Sequence, residues 1–211
     1  MTTLERDVDA RVLRFDRTER WLHWSNAVLF LILLATGMTL YIGPLAALVG
    51  RRVLLKDVHV ISGLLLPVPL LAAYAGSWRA RLRQDVRRFA RWSVDDWRWL
   101  RTLGRHGHER MGKFNAGQKL NAIFVAGCIP VMLMTGVIMR WFSPFPLAWR
   151  TGATFVHDSL ALTLGAVVLG HILKALAEPV AMRSMRTGMV PAEHVRLRHP
   201  RWWREVVSAD D

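Results

Sequence analysis

The chain has 211 residues, of which 52% are hydrophobic, and it carries a formal net charge of +13. Such a charge is typical of nucleic-acid-binding proteins, but the apolar residues here form four long blocks with the basic residues between them. This pattern excludes a nucleic-acid partner and indicates a membrane protein with basic loops. The only cysteine, Cys128, rules out an internal iron–sulfur cluster held by four thiolates.

Four segments satisfy the requirement of about 20 mostly apolar residues for a membrane-spanning helix. They cover residues 21–43, 57–76, 117–139 and 152–177. A lipid-exposed strand is excluded because its edge would leave backbone groups without hydrogen bonds in hydrocarbon. The sequence therefore predicts one domain over residues 1–211, an all-α integral membrane four-helix bundle. Prolines inside the spans predict bends at Pro67, Pro69 and Pro130.

The basic residues lie mainly on one side of these spans. The segment up to Arg20 holds five, the segment from Ser77 to Lys119 holds twelve, and the tail after Ala177 holds six. The other two connections hold three and two. By the positive-inside rule, both termini, the basic loop 77–116 and the tail 178–211 are predicted to be cytoplasmic.

The loop 77–116 contains tryptophans among its arginines. Two interpretations fit this composition: a helix lying on anionic membrane lipid, which is favoured, or a docking surface for a partner. Ser93 followed by Asp96 predicts the start of a helix.

Four of the eight histidines lie inside predicted spans, where ionisable residues suggest function. His59 and His157 are expected at one depth on the outer side, and His23 and His171 at another on the inner side. His157 and His171 are 14 residues apart, which is about 21 Å along a helix and close to four full turns. Both therefore point to nearly the same face of the fourth helix.

Paired imidazoles predict haem rather than zinc, because two histidines do not complete a tetrahedral zinc shell. They do saturate a haem iron and leave an electron-transfer centre. Asp158 can orient the His157 ring or lie among lipid headgroups. Glycines can make room for a flat macrocycle or serve helix packing, which is favoured, at Gly37, Gly63, Gly136 and Gly165. The other histidines are predicted to be solvated: His106, His108, His194 and His199.

The third span begins with a polar segment, Lys113–Lys119. Asn115 and Gln118 offer amide donors for a quinone carbonyl, and Gly117 allows a flat ring to approach the backbone. The same asparagine and glutamine spacing is also a helix-capping pattern. The pattern alone favours the cap.

These features together resemble the gamma subunit of membrane-bound formate dehydrogenase, a di-haem cytochrome b. The resemblance covers nearly the whole chain and is carried by the segment Glu19–Trp24, by His59 after Lys56 and Asp57, by Lys113–Lys119, and by the spacing of His157 and His171. The histidine pattern alone is shared with the cytochrome b subunits of membrane-bound nickel–iron hydrogenases and related reductases. That function is one alternative, and a haem-free membrane anchor or carrier is another.

The resemblance implies two b-type haems, one held by His59 and His157 on the outer side and one by His23 and His171 on the inner side. It implies a menaquinone or ubiquinone site at Asn115, Gly117 and Gln118 near the His171 haem. It also implies two partners in a bacterial cytoplasmic membrane: an iron–sulfur subunit with its own membrane anchor, and a molybdenum or tungsten subunit that oxidises formate. The chain alone would oxidise no substrate.

Overall fold

A computed structural model describes residues 10–76, 78–106 and 111–210, and 79% of these residues are helical. In chain order the elements are β1 (Arg11–Leu13), α1 (Arg17–Tyr41), α2 (Gly43–Val49), α3 (Arg52–Leu65), α4 (Val68–Ala75), α5 (Arg79–Ala90), α6 (Val94–Arg101), α7 (Ala116–Arg140), α8 (Leu147–Leu176), α9 (Pro179–Thr187), β2 (Met189–Pro191), α10 (Ala192–Arg198) and α11 (Pro200–Asp210). Parts of the predicted loop and tail, including His108, lie outside the described residues.

Four helical segments are long and apolar enough to cross a membrane, which confirms the predicted all-α membrane bundle. They are α1, α3 with α4 (Arg52–Ala75), α7 and α8. Two of them begin five residues earlier than predicted, at Arg52 and Leu147, because the helices already include residues 52–56 and 147–151. The chain is multi-pass.

The prolines act differently in different helices. The second span is interrupted between α3 and α4, where Pro67 has no N–H to donate. Pro69 then occupies the first turn of α4, a position at which the missing donor costs nothing. Helix α7 continues through Pro130.

The chain forms two compact units, which are described separately. Among the described residues, the bundle unit comprises 21–76 and 124–172, and the flanking unit comprises 10–20, 78–106, 111–123 and 173–210. In the bundle unit, Cβ atoms built on Gly63 and Gly165 would lie 3.8 and 3.7 Å from Leu33 and Leu34 of α1. These are ordinary packing distances, so both glycines lie against side chains of α1.

The outer surface of the bundle unit is apolar. Phe155 is 73% exposed and Leu162 is 78% exposed, both on α8. Large apolar side chains that are exposed along a long helix match lipid rather than water as the surrounding solvent.

The flanking unit contains a strand pair that the sequence did not predict. β1 and β2 are antiparallel, with Val12 opposite Val190. Val190 is fully buried and packs with Val195 and Trp202 of the tail helices. The tail therefore has a small apolar core of its own, closed by a strand from the opposite end of the chain.

His199 corrects a prediction. It was expected to be solvated, as His106 is, but it is only 6% exposed and its Nδ1 lies 2.7 Å from the carbonyl oxygen of Gly112. The backbone N–H of Arg201 also donates to the carbonyl of Met111. These bonds dock the start of α11 against residues 111–112, and they bury the ring. His194 is half-buried.

Candidate functional site

One histidine pair joins the second and fourth spans. His59 on α3 and His157 on α8 have ring centroids 6.3 Å apart, with their planes inclined by 63°. Both side chains are half-buried in the bundle unit. The structure therefore brings together the two histidines that the sequence placed at one depth.

A second pair joins the first and fourth spans. His23 on α1 and His171 on α8 have ring centroids 6.1 Å apart, with an angle of 61° between their planes. The indole of Trp24 meets the edge of the His23 ring at 5.3 Å. The second predicted pair is thus also present, with nearly the same geometry as the first.

The distance between the two histidine pairs is similar along α8 and along α1. His157 and His171 lie 14 residues apart on α8, which is about 21 Å. On α1, His23 is 13 residues from Thr36, whose hydroxyl contacts His59, and this separation corresponds to about 20 Å. The pairs consequently occupy two levels of the bundle, separated by much of a hydrocarbon core.

The spacing of the rings fits a metal held between two imidazoles. A metal–nitrogen bond of about 2.0 Å puts the ring centroid about 3 Å from the metal, so two rings on opposite sides lie about 6 Å apart. The observed 6.1 and 6.3 Å match this separation. In the described part of the chain, no group of three or more histidine, cysteine or acidic side chains is placed to bind a metal. Two-imidazole ligation, as in haem, is therefore the fit that the residues offer.

Two hydroxyls and two glycines of neighbouring helices contact the His59/His157 pair. Thr36 Oγ1 lies 2.9 Å from His59 Nδ1, and Thr135 Oγ1 lies 3.0 Å from His157 Nδ1. Cβ atoms built on the glycines that follow them, Gly37 and Gly136, would lie 3.2 and 3.5 Å from the Cε1 atoms of these rings. The hydroxyl of Thr135 therefore contacts the His157 ring, the contact for which Asp158 was one candidate in the sequence.

The polar start of α7 is a capping box. Asn115 Oδ1 accepts from the Gln118 N–H at 2.8 Å, and Gln118 Oε1 accepts from the Asn115 N–H at 3.0 Å. The capping interpretation is confirmed. Because the cap uses only the side-chain oxygens, the NH₂ groups of both amides keep their hydrogens for another acceptor.

Gly117 approaches a flat ring, although that ring belongs to the protein. A Cβ atom at this position would lie 2.9 Å from Cη2 of Trp99 on α6. Trp99 is 9% exposed, and its buried Nε1 has no hydrogen-bond partner among the described residues. The glycine is therefore needed for packing against an indole, which the sequence did not predict.

A comparison with known protein families identifies the protein family to which these histidine pairs belong. The model of a family described as prokaryotic cytochrome b561 matches residues 14–191, a range that includes all four paired histidines and the capping box of α7. The chain belongs to the prokaryotic cytochrome b561 family. Membership of this cytochrome b family implies a b-type haem, in agreement with the spacing of the rings.

Relatives of this cytochrome b are similar along almost its whole length. The formate dehydrogenase cytochrome b556 subunit of Haemophilus influenzae is 25% identical over 98% of this chain and 88% of its own. In Escherichia coli K12, the cytochrome b556(Fdn) subunit of the nitrate-inducible formate dehydrogenase is 24% identical over 94% of this chain and 93% of its own. The cytochrome b556(fdo) subunit of the same strain is 26% identical over 92% and 93%.

A buried ion cluster lies in the flanking unit of this cytochrome b. Lys113 is 7% exposed, and its Nζ binds Glu19 and, at 3.3 Å, both carboxylate oxygens of Asp85. Burial works to raise the pKa of Asp85, but the hydrogen bond with Glu19 and the charge of Lys113 outweigh it and hold that pKa below its ordinary value of 3.8. Asp85 is therefore ionised at neutral pH and stabilises the lysine. This cluster is not apparent from the sequence, because its members are far apart in the chain.

Proposed function

We propose that this chain is the membrane cytochrome b subunit of a formate dehydrogenase complex. The observation that carries the proposal is the pair of histidine pairs, each with the ring spacing that a metal between two imidazoles requires. The relatives match 92–98% of this chain and are named as subunits of formate dehydrogenases, so we propose formate as the substrate of the complex.

In this proposal the chain holds two b-type haems, one between His59 and His157 and one between His23 and His171. A haem held by two histidines would supply single-electron transfer, and its iron would have no open position for a substrate. The residues of the chain fix the two ligand pairs at levels about 20 Å apart along α1 and α8. The chain therefore conducts electrons across the membrane and leaves the oxidation of formate to another subunit.

The electrons come from partner subunits. With one cysteine, this chain cannot hold a four-thiolate cluster, so an iron–sulfur subunit with its own membrane anchor delivers electrons on the outer side. A molybdenum or tungsten subunit oxidises formate. The assembly lies in a bacterial cytoplasmic membrane, and both termini of this chain face the cytoplasm.

A menaquinone or ubiquinone receives the electrons. Its site includes Asn115, Gly117 and Gln118. The side-chain NH₂ groups of Asn115 and Gln118 are suited to a quinone carbonyl, whereas Gly117 packs against Trp99. The resemblance also assigns His171 to this site, and that assignment stays a prediction. The reduced quinone takes its protons from the cytoplasmic side, so the reaction separates charge across the membrane.

The test is the haem content of the complex purified with its partners. We expect two haems per copy of this chain, one after His59→Ala or His157→Ala, one after His23→Ala or His171→Ala, and two after the control His106→Ala, since His106 is exposed. Quinone reduction that persists in His171→Ala without its haem contradicts the proposed route. Nickel in place of molybdenum or tungsten identifies a hydrogenase, and a wild-type complex without haem identifies an anchor.

A further inference from the structure

The two histidines of one pair have the same polar neighbour. His59 Nδ1 lies 2.9 Å from Thr36 Oγ1 of α1, and His157 Nδ1 lies 3.0 Å from Thr135 Oγ1 of α7. Each threonine thus reaches across from the neighbouring helix to the ring nitrogen that a metal bound at Nε2 leaves free. Both hydroxyls are in buried side chains, 8% exposed for Thr36 and 4% for Thr135.

The hydrogen bonds of the threonines fix the direction of this contact. Thr36 Oγ1 donates to the carbonyl of Ile32 at 2.7 Å, and Thr135 Oγ1 donates to the carbonyl of Val131 at 2.8 Å. A hydroxyl has one hydrogen, and the helix carbonyl takes it. The oxygen can then meet the imidazole only as an acceptor, so the proton of the ring is on Nδ1 and the lone pair is on Nε2.

The arrangement occurs twice in the sequence. Thr36 and Gly37 recur 99 residues later as Thr135 and Gly136. In each copy the threonine binds Nδ1, while the glycine brings the helix backbone close to Cε1 of the same ring. Two separate helices therefore present the same Thr-Gly pair to the two members of one histidine pair.

Plain helix structure does not require this contact. Buried threonines often bond the carbonyl four residues earlier in their own helix. Thr39, which is half-buried, does the same on α1, where its hydroxyl donates to the carbonyl of Ala35 at 2.8 Å. Thr36 and Thr135 make that bond and also contact a histidine of another helix. Each ring has a backbone hydrogen bond to the same helix as well, His59 with Leu33 and His157 with Met132, so the valine variants measure what the hydroxyl adds to the backbone contact.

We infer that Thr36 and Thr135 are positioning residues that set the electron affinity of the haem held by His59 and His157. The inference rests on the proposed haem ligation. An acceptor at Nδ1–H makes the imidazole a stronger electron donor through Nε2, which favours ferric over ferrous iron. The two threonines act on opposite ligands, so their effects should add.

The test uses the complex purified with its partners and a redox titration followed by visible absorption and by electron paramagnetic resonance. Thr36→Val and Thr135→Val keep the shape of the side chain and remove the hydroxyl. Thr36→Ser and Thr135→Ser keep the acceptor, and Thr39→Val is the matched control. The haem that disappears in His59→Ala identifies the one affected, and the other haem is the internal reference.

We expect each valine variant to raise the midpoint potential of the His59/His157 haem and the double variant to raise it most. A tenfold loss of preference for ferric iron corresponds to about 59 mV for one electron. The serine variants should return toward the wild-type potential, and Thr39→Val should leave both haems unchanged.

Three outcomes overturn the inference: valine variants with two haems and wild-type potentials, an equal shift of both haems, or serine variants that behave like valine. These are distinct from failure of the proposed function, which would show as a wild-type complex without two haems. Should a valine variant lose the haem altogether, retention of haem in the matching serine variant would support the role of the hydroxyl, and its loss there would overturn it.

Discussion

At the scale of single residues, two glycines without a Cβ atom allow a helix backbone to approach an imidazole ring. A Cβ atom at residue 37 would lie 3.2 Å from His59 Cε1, whereas one at residue 136 would lie 3.5 Å from His157 Cε1. The first distance is tighter than ordinary van der Waals contact and the second is ordinary. The two glycines are therefore unequal, although they stand at matching places.

This difference predicts unequal effects of the same substitution. Gly37→Ala should displace the His59 ring by a few tenths of an ångström and reduce haem retention by about 10-fold, since metal affinity depends on the orientation of the ligands. Gly136→Ala should retain haem as the wild type does. Haem per chain and the reduced-minus-oxidised absorption spectrum measure the effect. Equal loss in both variants would show that the spacing at residue 37 is not what limits the site.

Lys113 gives a second prediction at this scale. Lys113→Met removes the cation between Glu19 and Asp85, two poorly exposed carboxylates, and leaves Asp85 with Arg88 as its cation at 3.1 Å. Breaking a buried ion pair in this way costs about 3–5 kcal/mol, and the partial exposure of Glu19 favours the lower end. The thermal midpoint of the purified complex in detergent should fall clearly.

The control is an ion pair of the same unit whose basic member is exposed. Arg98 lies 3.7 Å from Asp95 and its side chain is 61% exposed, so Arg98→Met should cost less than about 1 kcal/mol. A Lys113→Met complex as stable as the Arg98→Met complex would mean that the cluster does not contribute to stability.

Single residues also show where sequence reasoning succeeds and fails. The four paired histidines could be predicted because charged or ionisable groups inside apolar segments stand out, and helix geometry gives their depth. Thr36 and Thr135 could not, because a threonine inside a span usually bonds its own helix. The available signal was the repeated Thr-Gly pair, which has meaning only once a histidine is known to lie opposite.

At the scale of elements, the start of α7 combines a cap with unused donors. The capping box occupies the side-chain oxygens of Asn115 and Gln118, and the proposed quinone site uses their amide hydrogens. The two functions can be separated, because a carboxylate keeps the capping oxygen and loses the amide hydrogens.

Asn115→Asp and Gln118→Glu should therefore leave α7 intact and weaken quinone binding. Loss of one neutral hydrogen bond of about 0.5–1.5 kcal/mol predicts a rise in the KM for quinone of about 2- to 10-fold, with both haems retained. Asp16→Asn is the matched control, because Asp16 and Glu19 form the same box at the start of α1. An unchanged KM in both carboxylate variants would remove these amides from the quinone site.

The limits of prediction at this scale have physical causes. The four long helices were predictable because hydrocarbon demands about 20 apolar residues each, and the helix start at Ser93 was predictable because its capping box is local. The pairing of β1 with β2 and the burial of His199 were not. Both depend on contacts between segments that are more than 80 residues apart, for which a single sequence carries no periodic signal.

At the scale of the whole molecule, the chain reads as two related halves. Six residues of the first half have an identical or chemically similar residue 99 positions later. They are Phe15 and Phe114, Asp16 and Asn115, Glu19 and Gln118, Arg20 and Lys119, Thr36 and Thr135, and Gly37 and Gly136. His59 is matched 98 positions later by His157. The same offsets place Ala122 opposite His23 and Ala73 opposite His171. One histidine pair thus takes matching positions from the two halves, while the other takes non-matching ones. This difference explains why only the first pair has two equivalent threonines.

Two such halves, each with two spans, return the chain to the side on which it began, so both termini must share one side of the membrane. By the positive-inside rule we predict that this side is the cytoplasm, since twelve basic residues lie between Ser77 and Lys119 against three between the first two spans. Alkaline phosphatase, which is active only outside the cytoplasm, should therefore be inactive when fused after Asp211 and active when inserted at Gly50 in the first connection. Green fluorescent protein at the same two sites should give the opposite result. Activity of the phosphatase at Asp211 would reverse the orientation, and it would move the proposed proton uptake to the other face of the membrane.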